Sequence, residues 1–245
     1  MTPVTFPEAA GPEGLRLYAI GDVHGRADLL TRMHGLIRAD LADNPVHDWR
    51  IIHLGDYVDR GPASKEVLEF LIEAREKDER NLVLMGNHDV SFLDFLALAE
   101  PDGVFANNGG RETALSYGVE IDFRDPKSVD EGYVALSSAV PQAHVEFIRH
   151  MPRAFTFGDF FFCHAGIRPG VPLDHQDPED LIWIRRAFLD WTEPFEKVVI
   201  HGHTPLDEIE VKPNRVDVDT FAWHSGRLSA IVIDGAVKRF IEARL

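Results

Sequence analysis

Ile51-Ile52-His53-Leu54-Gly55-Asp56-Tyr57-Val58-Asp59-Arg60-Gly61 joins a short apolar run to a polar loop bounded by glycines. An apolar run of this length, ended by Gly, is typical of a buried strand. The loop places two aspartates and an arginine at the carboxyl end of that strand, where α/β sheets build their binding sites. The stretch therefore predicts an α/β fold with a polar site at one edge of its sheet.

The same order of apolar run and polar cluster occurs four more times. The further clusters are Gly21-Asp22-Val23-His24-Gly25, Gly86-Asn87-His88-Asp89, His164-Ala165-Gly166 and His201-Gly202-His203-Thr204. They follow apolar runs at residues 15–20, 82–85, 160–163 and 198–200. A single Gly-Asp pair after a strand is usually only a turn. Five clusters that all carry oxygen or imidazole ligands instead predict one shared site.

The ligand types in these clusters predict a metal site. Carboxylate and amide oxygens suit hard divalent cations and imidazole suits transition ions, so the mixture favours Mn, with Fe or Zn as alternatives. A single carboxylate can bridge two cations, and two metals about 3.5–4 Å apart clamp the attacking and leaving oxygens of a phosphoryl displacement. The expected cofactor is thus a pair of divalent ions, and the expected chemistry is phosphoester hydrolysis.

The clusters at residues 21–25, 55–61 and 86–89 resemble the signature of the phosphoprotein phosphatase family of calcineurin-like metallophosphoesterases, in particular its bacterial and phage serine/threonine phosphatases. The resemblance runs from about Leu17 to the C-terminal strands. It implies an α/β fold in four layers, an αββα sandwich of two mixed sheets flanked by helices, with a small helical cap.

The resemblance also implies roles for individual side chains. The implied metal ligands are Asp22 and His24 for the first ion, Asp56 as the bridge, and Asn87, His164 and His203 for the second. His88 is implied to be the general acid, with Asp59 fixing its tautomer and keeping it cationic, because a neighbouring carboxylate raises the pKa of an imidazole. The implied step is in-line attack on phosphorus by a metal-bridging water.

Two arginines are predicted to bind the substrate phosphate. Arg60 follows Asp59 directly and offers a bidentate fork to phosphate oxygens. Arg185 ends a Trp-x-Arg segment similar to one that some bacterial and phage members place over the metals, and Arg186 is the competing candidate.

Two histidines are predicted to lie beside the metals without binding them. His201 faces the same way as His203 on an extended segment. His224 lies in a loop where the family often brings an aromatic side chain toward the metals. The other histidines are predicted to be ordinary hydrogen-bonding groups: His34, His47, His53, His144, His150 and His175.

Two positions depart from the family's usual pattern. Phe221 stands where a glycine is usual, which leaves the local turn open, and Asp89 replaces the more usual glutamate after the catalytic histidine. Cys163 ends an apolar strand and is predicted to fill the core rather than to act as a nucleophile.

Composition narrows the class of protein. No apolar run approaches the ~20 residues of a membrane helix, so no membrane partner is expected. A single cysteine is compatible with a reducing compartment, and a cytoplasmic location is predicted. The net charge of −16 disfavours a nucleic-acid scaffold, although bound cations would still attract an anionic substrate. The oligomeric state is left open.

The chain is predicted to form a flexible N-terminal arm at residues 1–14, without a signal peptide, and one domain at residues 15–245. Helices are expected at residues 26–41, 62–77 and 91–99. A helical cap is expected at about residues 107–150, lined by Asn108, Arg111 and Tyr117. The strands predicted after Arg153, including residues 228–233 and 237–241, are assigned to a second sheet.

Three functions compete at this point. The leading hypothesis is a serine/threonine protein phosphatase acting on a phosphorylated protein or a small phosphoester. The second is a symmetrical diadenosine tetraphosphate hydrolase, for which Tyr57, Trp183 and Arg111 offer a nucleotide-binding surface. The third is a metal-bound scaffold without activity, which requires lost catalytic positions, whereas Asp59, Arg60 and His88 are all present.

Overall fold

A computed structural model describes residues 3–245 of the chain. The strands are β1 (Leu15–Ile20), β2 (Asp48–His53), β3 (Asn81–Val83), β4 (Ala154–Phe157), β5 (Phe160–Cys163), β6 (Val198–His201), β7 (Glu210–Val211), β8 (Arg215–Asp217), β9 (Arg227–Asp234) and β10 (Val237–Arg244). The α-helices are α1 (Ala27–Asp43), α2 (Ser64–Lys77), α3 (Asn87–Leu98), α4 (Val104–Asn107), α5 (Gly110–Ser116), α6 (Pro126–Ala139), α7 (Gln142–Arg149), α8 (Asp180–Trp183), α9 (Arg186–Leu189) and α10 (Ala222–Ser225).

The strands form two mixed sheets. The first has the order β10-β9-β1-β2-β3, with β1, β2 and β3 parallel and the two C-terminal strands antiparallel. The second has the order β4-β5-β6-β8-β7, with β5, β6 and β8 parallel and an antiparallel strand at each edge. The predicted fold class, two mixed sheets flanked by helices, is confirmed.

Alternation along the strands divides the interior into three apolar layers. In β5, Phe160 and Phe162 face the first sheet, whereas Phe161 and Cys163 face the short helices α8 and α9. In β1, Tyr18 and its alternating partner Ile20 face α1, α2 and α3 on the opposite side of the molecule. Three cores between four layers give the expected αββα sandwich. Cys163 is buried in the core, and burial raises the pKa of its thiol far above the ordinary value.

The assignment of the two C-terminal strands to the second sheet is wrong. β9 pairs with β1, with Arg16 opposite Asp234, and β10 pairs with β9. The side chains of β9 are buried on both faces over most of its length, so this strand requires an interior position in a sheet. The open edge of β1 provides that position, a long-range pairing that strand periodicity does not encode.

The segment predicted as a flexible arm packs against the domain over its described part, residues 3–14, and residues 1–2 lie outside the described residues. Ala9 is fully buried. The backbone N–H of Phe6 donates to Pro213 O at 2.7 Å, and that of Gly11 donates to Gly235 O at 2.9 Å. The segment therefore joins the loop before β8 to the turn between β9 and β10.

The predicted cap corresponds to the helices α4 to α7, which pack against α2 and α3. Its contacts with the polar loop after β2 include a hydrogen bond from the N–H of Arg60 to Gly109 O at 3.2 Å. Tyr117 does not line a cleft, because its ring is buried and its hydroxyl bonds His144 Nδ1 at 2.7 Å. Asn108 and Arg111 are exposed. Within residues 3–245, no helix combines the length and apolar character needed to cross a membrane.

Candidate metal centre

The loops after β1, β2, β3, β5 and β6 meet at one edge of the two sheets. The meeting requires glycine where the loops touch. A Cβ on Gly61 would lie 2.0 Å from the carbonyl oxygen of His24, and one on Gly86 would lie 2.1 Å from Asp56 Oδ1. Neither backbone can retreat without moving a predicted ligand, so these glycines set the spacing of the site.

The backbone at this edge is strained. Within residues 3–245, seven residues other than glycine have positive φ, and five of them are at the site: His24 (43°), Asp56 (53°), Asp59 (70°), Arg60 (67°) and His203 (69°). Such conformations cost on the order of 1 kcal/mol or more each and persist only where the surroundings fix them. Their concentration here is independent structural support for a functional site.

Asp56 lies at the middle of the site. Its Oδ2 is 3.5 Å from His24 Nε2 on one side and 3.4 Å from His164 Nε2 on the other. Two groups of possible ligand atoms, each within 4.8 Å of one another, share Asp56: the first adds His24 and His88, and the second adds His164 and His203. A shared carboxylate between two ligand groups is the arrangement expected of a bridging residue.

The imidazole orientations fit cation binding. His24 Nδ1 is 2.8 Å from Val58 O and His164 Nδ1 is 2.9 Å from Leu54 O. Each Nδ1 must carry the hydrogen in order to donate to a carbonyl, which leaves a lone pair on each Nε2. In the neutral form of each ring these lone pairs face the acceptor oxygens of Asp56, and a cation between them would pair with both. Burial lowers the pKa of His24 to about 3, so that ring is neutral and able to bind a metal.

The remaining predicted ligands lie in the same place. Asn87 Oδ1 is 3.0 Å from His164 Nε2 and 2.8 Å from His203 Nδ1. The carboxylate of Asp22 accepts the backbone N–H of His203 at 3.1 Å. Burial, together with His164 and Arg185, lowers the pKa of His203 to about 2, so its ring is neutral. The structure thus brings all six predicted ligands together.

Two further carboxylates lie behind Asp22, and sequence reasoning missed both. Asp217 and Asp219 are buried at the end of β8 and beyond it. Burial and then the charges of Asp219, Asp56 and Asp217 raise the pKa of Asp22 well above its ordinary value. Burial likewise opposes ionisation of Asp56, but His164 and His88 overcome it and lower its pKa. Four buried carboxylates in one cluster favour bound divalent cations, which would neutralise them.

His88 and Asp59 form a buried pair at the rim of this cluster. His88 Nδ1 is 2.6 Å from Asp59 Oδ2, while the other oxygen, Oδ1, accepts the hydroxyl of Thr113 at 2.8 Å. Burial lowers the pKa of His88, but the carboxylates of Asp56 and Asp59 outweigh it and the pKa is raised. Burial also raises the pKa of Asp59, against the hydrogen bond from His88. Both shifts favour a proton held within the pair. Thr113 lies 54 residues from Asp59, and no motif marked it.

The two predicted phosphate-binding arginines differ in placement. Arg60 Nη2 lies 3.1 Å from His88 Nε2, and its guanidinium lies 5.6 Å from the ring centre of Trp223. Arg185 is exposed and reaches the site only through a long 3.4 Å contact from its guanidinium to His203 O. Arg186 is exposed as well. Both Arg60 and Arg185 therefore border the cluster of predicted ligands, with Arg60 the more closely attached.

The two histidines predicted beside the metals also differ. His201 is fully buried, with Nδ1 3.7 Å from Asp217 Oδ2 and its ring against Phe188. Its Nδ1 also lies 3.0 Å from Gly202 O, so His201 contacts the loop that carries His203. His224 is exposed, and its ring packs on Phe221 and Trp223. Within residues 3–245, the ring of His224 packs against these two aromatic side chains and not against a predicted metal ligand.

The two departures from the family pattern have visible consequences. Asp89 is near the start of α3, and its carboxylate accepts the backbone N–H groups of Asp56, Tyr57 and Gly86, each at 2.9 Å. The shorter acid thus ties the loop after β2 to α3. Phe221 adopts the left-handed conformation, with φ of 62°, that a glycine would adopt without strain.

Two tryptophans border the centre. The ring of Trp183 lies 6.2 Å from that of His203, and Trp223 lies beside Arg60. Trp223 was not singled out from the sequence. Tyr57, which was proposed as part of a nucleotide surface, is fully buried, and its hydroxyl donates to Leu84 O at 2.8 Å. Tyr57 is a core residue and offers no surface to a ligand.

These loops and ligand groups define a metallophosphoesterase. The family model for calcineurin-like phosphoesterases matches residues 15–233, and the chain belongs to this family. The chain is 24% identical over 240 residues to a bis(5′-nucleosyl)-tetraphosphatase PrpE, described as asymmetrical, from Anoxybacillus flavithermus, covering 86% of this chain and 88% of that protein. A protein of the same name from Bacillus velezensis is 26% identical over 222 residues, with 82% of each chain covered.

Solved structures show the same fold. A putative diadenosine tetraphosphatase aligns with a TM-score of 0.63 at 19% identity, covering 93% of each chain. A protein serine/threonine phosphatase from Saccharomyces cerevisiae aligns with a TM-score of 0.53 at 14% identity, covering 95% of this chain and 80% of that one. The fold is therefore common to proteins named for nucleotide and for protein substrates, and it does not separate the two.

Proposed function

We propose that this protein is a dinuclear-metal hydrolase that cleaves dinucleoside tetraphosphates. The hydrolase activity is supported by the His88–Asp59 pair, whose nitrogen and oxygen are 2.6 Å apart, and which lies beside two groups of possible metal ligands that share Asp56. The relatives named as asymmetrical tetraphosphatases, each matched over more than four fifths of its length, support the substrate. This substrate class was the second hypothesis from the sequence, although symmetrical cleavage was then expected.

The proposed cofactor is a pair of divalent ions, with Mn first and Fe or Zn as alternatives. The proposed ligands are Asp22, His24, Asp56, Asn87, His164 and His203. When bound, such ions lower the pKa of a coordinated water and neutralise phosphoryl oxygens. His201, which contacts Gly202 O and lies near Asp217, is proposed to support the loop that carries His203, without contacting the substrate.

Arg60 is proposed to bind the substrate phosphate. In the structure its guanidinium donates toward His88 Nε2 at 3.1 Å, which requires that nitrogen to be unprotonated. A phosphate oxygen is a stronger partner for an arginine than a neutral imidazole is. Binding of the phosphate therefore draws Arg60 away and frees His88 Nε2. Arg185, exposed at the opposite border, is the proposed second phosphate contact.

Once Arg60 has moved away, His88 Nε2 takes up a proton from water, which its raised pKa favours, and His88 is proposed to donate that proton to the departing oxygen. Asp59 accepts the hydrogen on Nδ1 and stabilises the imidazolium, and Thr113 holds Asp59 in place. The bond broken joins phosphorus to the bridging oxygen of the leaving group, and the bond formed joins phosphorus to the attacking water oxygen. The proton on His88 ends on the departing oxygen.

Hydrolysis of phosphoserine or phosphothreonine is the second candidate. The specific observation in its favour is the buried His88–Asp59 pair itself, because an alkoxide is a poor leaving group and requires a proton donor more than a departing phosphate does. A serine/threonine phosphatase specificity is therefore retained as the alternative. The scaffold without activity is the third.

The deciding measurement is kcat/KM of the Mn-loaded protein for diadenosine tetraphosphate and for a phosphothreonine peptide. We expect at least a tenfold preference for the dinucleotide, about 1.4 kcal/mol of transition-state discrimination. Chromatography of the products separates asymmetrical cleavage, which gives AMP and ATP, from symmetrical cleavage, which gives two ADP. A tenfold preference for the peptide would reverse the proposal, and turnover of neither substrate would favour the scaffold.

A further inference from the structure

A cavity of about 340 Å³ opens beside the metal centre, between α3, the segment that leads into α4, and α8. Its apolar wall includes the rings of Phe95 and Phe105 and the exposed ring of Trp183, and its polar wall includes the carboxylates of Asp94, Glu100 and Glu179. The volume lies in the lower part of the range for small-molecule sites, about 300–1,000 Å³.

Two elements connect this cavity to the proposed chemistry. Helix α3 carries Asn87 and His88 in its first turn and presents Asp94 and Phe95 to the cavity about two turns later, roughly 10 Å along its axis. Trp183 forms part of the cavity wall while its ring lies 6.2 Å from the ring of His203. A ligand in the cavity is therefore within reach of a phosphate at the metals.

The lining of the cavity selects a particular chemistry. Trp183 is 37% exposed, a large fraction for a tryptophan beside a catalytic centre, and it offers a flat surface. The carboxylates of Asp94, Glu100 and Glu179 are exposed and form no ion pair within residues 3–245, and no Lys, Arg or His lines the cavity. A flat ring ligand that carries N–H donors matches both the aromatic surface and the unpaired acceptors.

We propose that this cavity binds a nucleobase with an exocyclic amino group, such as adenine. The base stacks on Trp183, since every nucleobase has a π-face that aromatic side chains accept. Asp94 or Glu179 accepts the amino hydrogens, as carboxylates do when they read amino-bearing bases. The inference rests on the proposed function, because it places one nucleoside of a dinucleoside tetraphosphate in the cavity while the phosphate chain lies over the metals.

The first test compares Trp183→Ala with Trp191→Ala, each loaded with Mn. Trp191 is a matched control because it is 39% exposed and lines a different cavity. We expect Trp183→Ala to lower kcat/KM at least tenfold for diadenosine tetraphosphate and less than twofold for p-nitrophenyl phosphate, which has no base. Trp191→Ala should change neither. A parallel loss on both substrates would show that Trp183 acts through His203, and no loss on the dinucleotide would remove the base site.

The second test changes the base. Diinosine tetraphosphate has a carbonyl oxygen where diadenosine tetraphosphate has the amino group, so an acceptor would face the carboxylates. We expect the wild type to prefer the adenine compound at least fivefold and the Asp94→Ala/Glu179→Ala variant to lose that preference. Equal rates in the wild type would overturn the role of the carboxylates.

Failure of the proposed function gives a different result. If the wild type hydrolyses p-nitrophenyl phosphate but neither dinucleotide, the substrate class is wrong and the base site falls with it. In that case a phosphothreonine peptide with a neighbouring arginine is the next probe. If Trp183→Ala lowered kcat/KM for that peptide but not for p-nitrophenyl phosphate, the cavity would be assigned to the arginine side chain of the peptide.

Discussion

His88 occupies an ambiguous position at the scale of single residues. It belongs to one of the two groups of possible metal ligands, with His24 and Asp56, yet its Nδ1 is held by Asp59 at 2.6 Å. A metal ligand and a general acid give different results when the side chain is replaced. The metal content separates the two roles, because only the loss of a ligand releases an ion.

Replacement of His88 by Asn should discriminate between leaving groups. We expect a loss of about 10²- to 10⁴-fold in kcat/KM on a phosphothreonine peptide, which is the range for a general acid, and a smaller loss on diadenosine tetraphosphate. The metal content, measured by elemental analysis, should be unchanged. His144→Asn, which alters a buried histidine bonded to Tyr117, is the control. A lost ion in His88→Asn would make His88 a ligand.

Replacement of Asp59 by Asn should change the pH profile. The carboxylate of Asp59 contributes to the raised pKa of His88. Activity requires the protonated imidazole and is lost as the pH rises through that pKa, so removing the negative charge should move the alkaline limb of kcat/KM to lower pH. The profile is measured with the phosphothreonine peptide, whose alkoxide leaving group requires the proton that His88 donates. An alkaline limb at the same pH in both proteins would contradict the role of Asp59.

The sequence predicted which side chains meet at this edge because the proposed ligands lie within short motifs; their role as metal ligands stays a prediction. Asp56, Asn87 and His203 lie in the first few residues after β2, β3 and β6, and the carboxyl ends of parallel strands lie at the same edge of a sheet. Thr113 and Asp217 were missed because they reach the site from separate elements, through contacts that no local spacing encodes. Phe221 was recognised as unusual, but only the structure shows that it keeps the left-handed turn of the glycine it replaces.

At the scale of elements, a pair of buried histidines joins α1 to β2. The Nε2 atoms of His34 and His53 are 2.9 Å apart, and His53 Nδ1 is 2.9 Å from Leu82 O. The hydrogen on His53 therefore lies on Nδ1, and its Nε2 accepts from His34. Burial lowers the pKa of His34 to about 3 and that of His53 to about 4. A second proton would place two N–H groups against each other.

This pair should make stability sensitive to acid. The unfolded chain binds protons at each histidine below its ordinary pKa of about 6.5, whereas the folded pair stays neutral. The free energy of unfolding should therefore fall as the pH decreases from 6.5 to 5, by on the order of 2 kcal/mol per histidine. Urea unfolding at both pH values, with Mn present, measures it. His34→Gln keeps a donor to His53 and should lose about half of the pair's contribution; an unchanged slope would contradict the assignment.

The helices α1 and α2 were predictable because apolar residues recur on one face, but α3 begins at Asn87, four residues before its predicted start, so Asn87 and His88 lie on the helix. The sheet to which β9 and β10 belong could not be predicted from the sequence. Both read simply as strands, and which edge they join depends on contacts between residues more than 200 positions apart, such as Arg16 with Asp234. The alternation of apolar residues along a strand shows which face is buried, but it does not show which strand lies beside it.

At the scale of the whole molecule, the metals are expected to contribute to the stability of the fold. Chelation of Mn should lower the melting temperature, because a ligand at 100 times its Kd stabilises the folded state by about 2.7 kcal/mol. The pKa of Asp22 is raised by burial and by neighbouring carboxylates, so its charge opposes folding when no cation is bound. Metal-free Asp22→Asn should therefore melt higher than the metal-free wild type, and it should gain less from Mn.

Calorimetry of both proteins with and without Mn checks this expectation. Asp174→Asn, which alters an exposed carboxylate, is the control and should behave as the wild type in both states. If metal-free Asp22→Asn melts lower than the metal-free wild type, the hydrogen bond from His203 to Asp22 outweighs the relief of charge, and the cluster is held together without cations.

Because β9 pairs with β1, the first sheet cannot be completed until the C-terminal part of the chain has been synthesised. While the ribosome is still making the chain, β1 has only β2 beside it, and the edge that β9 will cover is open until residues 227–234 emerge. An uncovered strand edge recruits other nascent chains, and a partly built sheet is prone to aggregation. Slow translation or a truncated message would prolong this interval, so the yield of active protein should depend on chaperone capacity in the expression host.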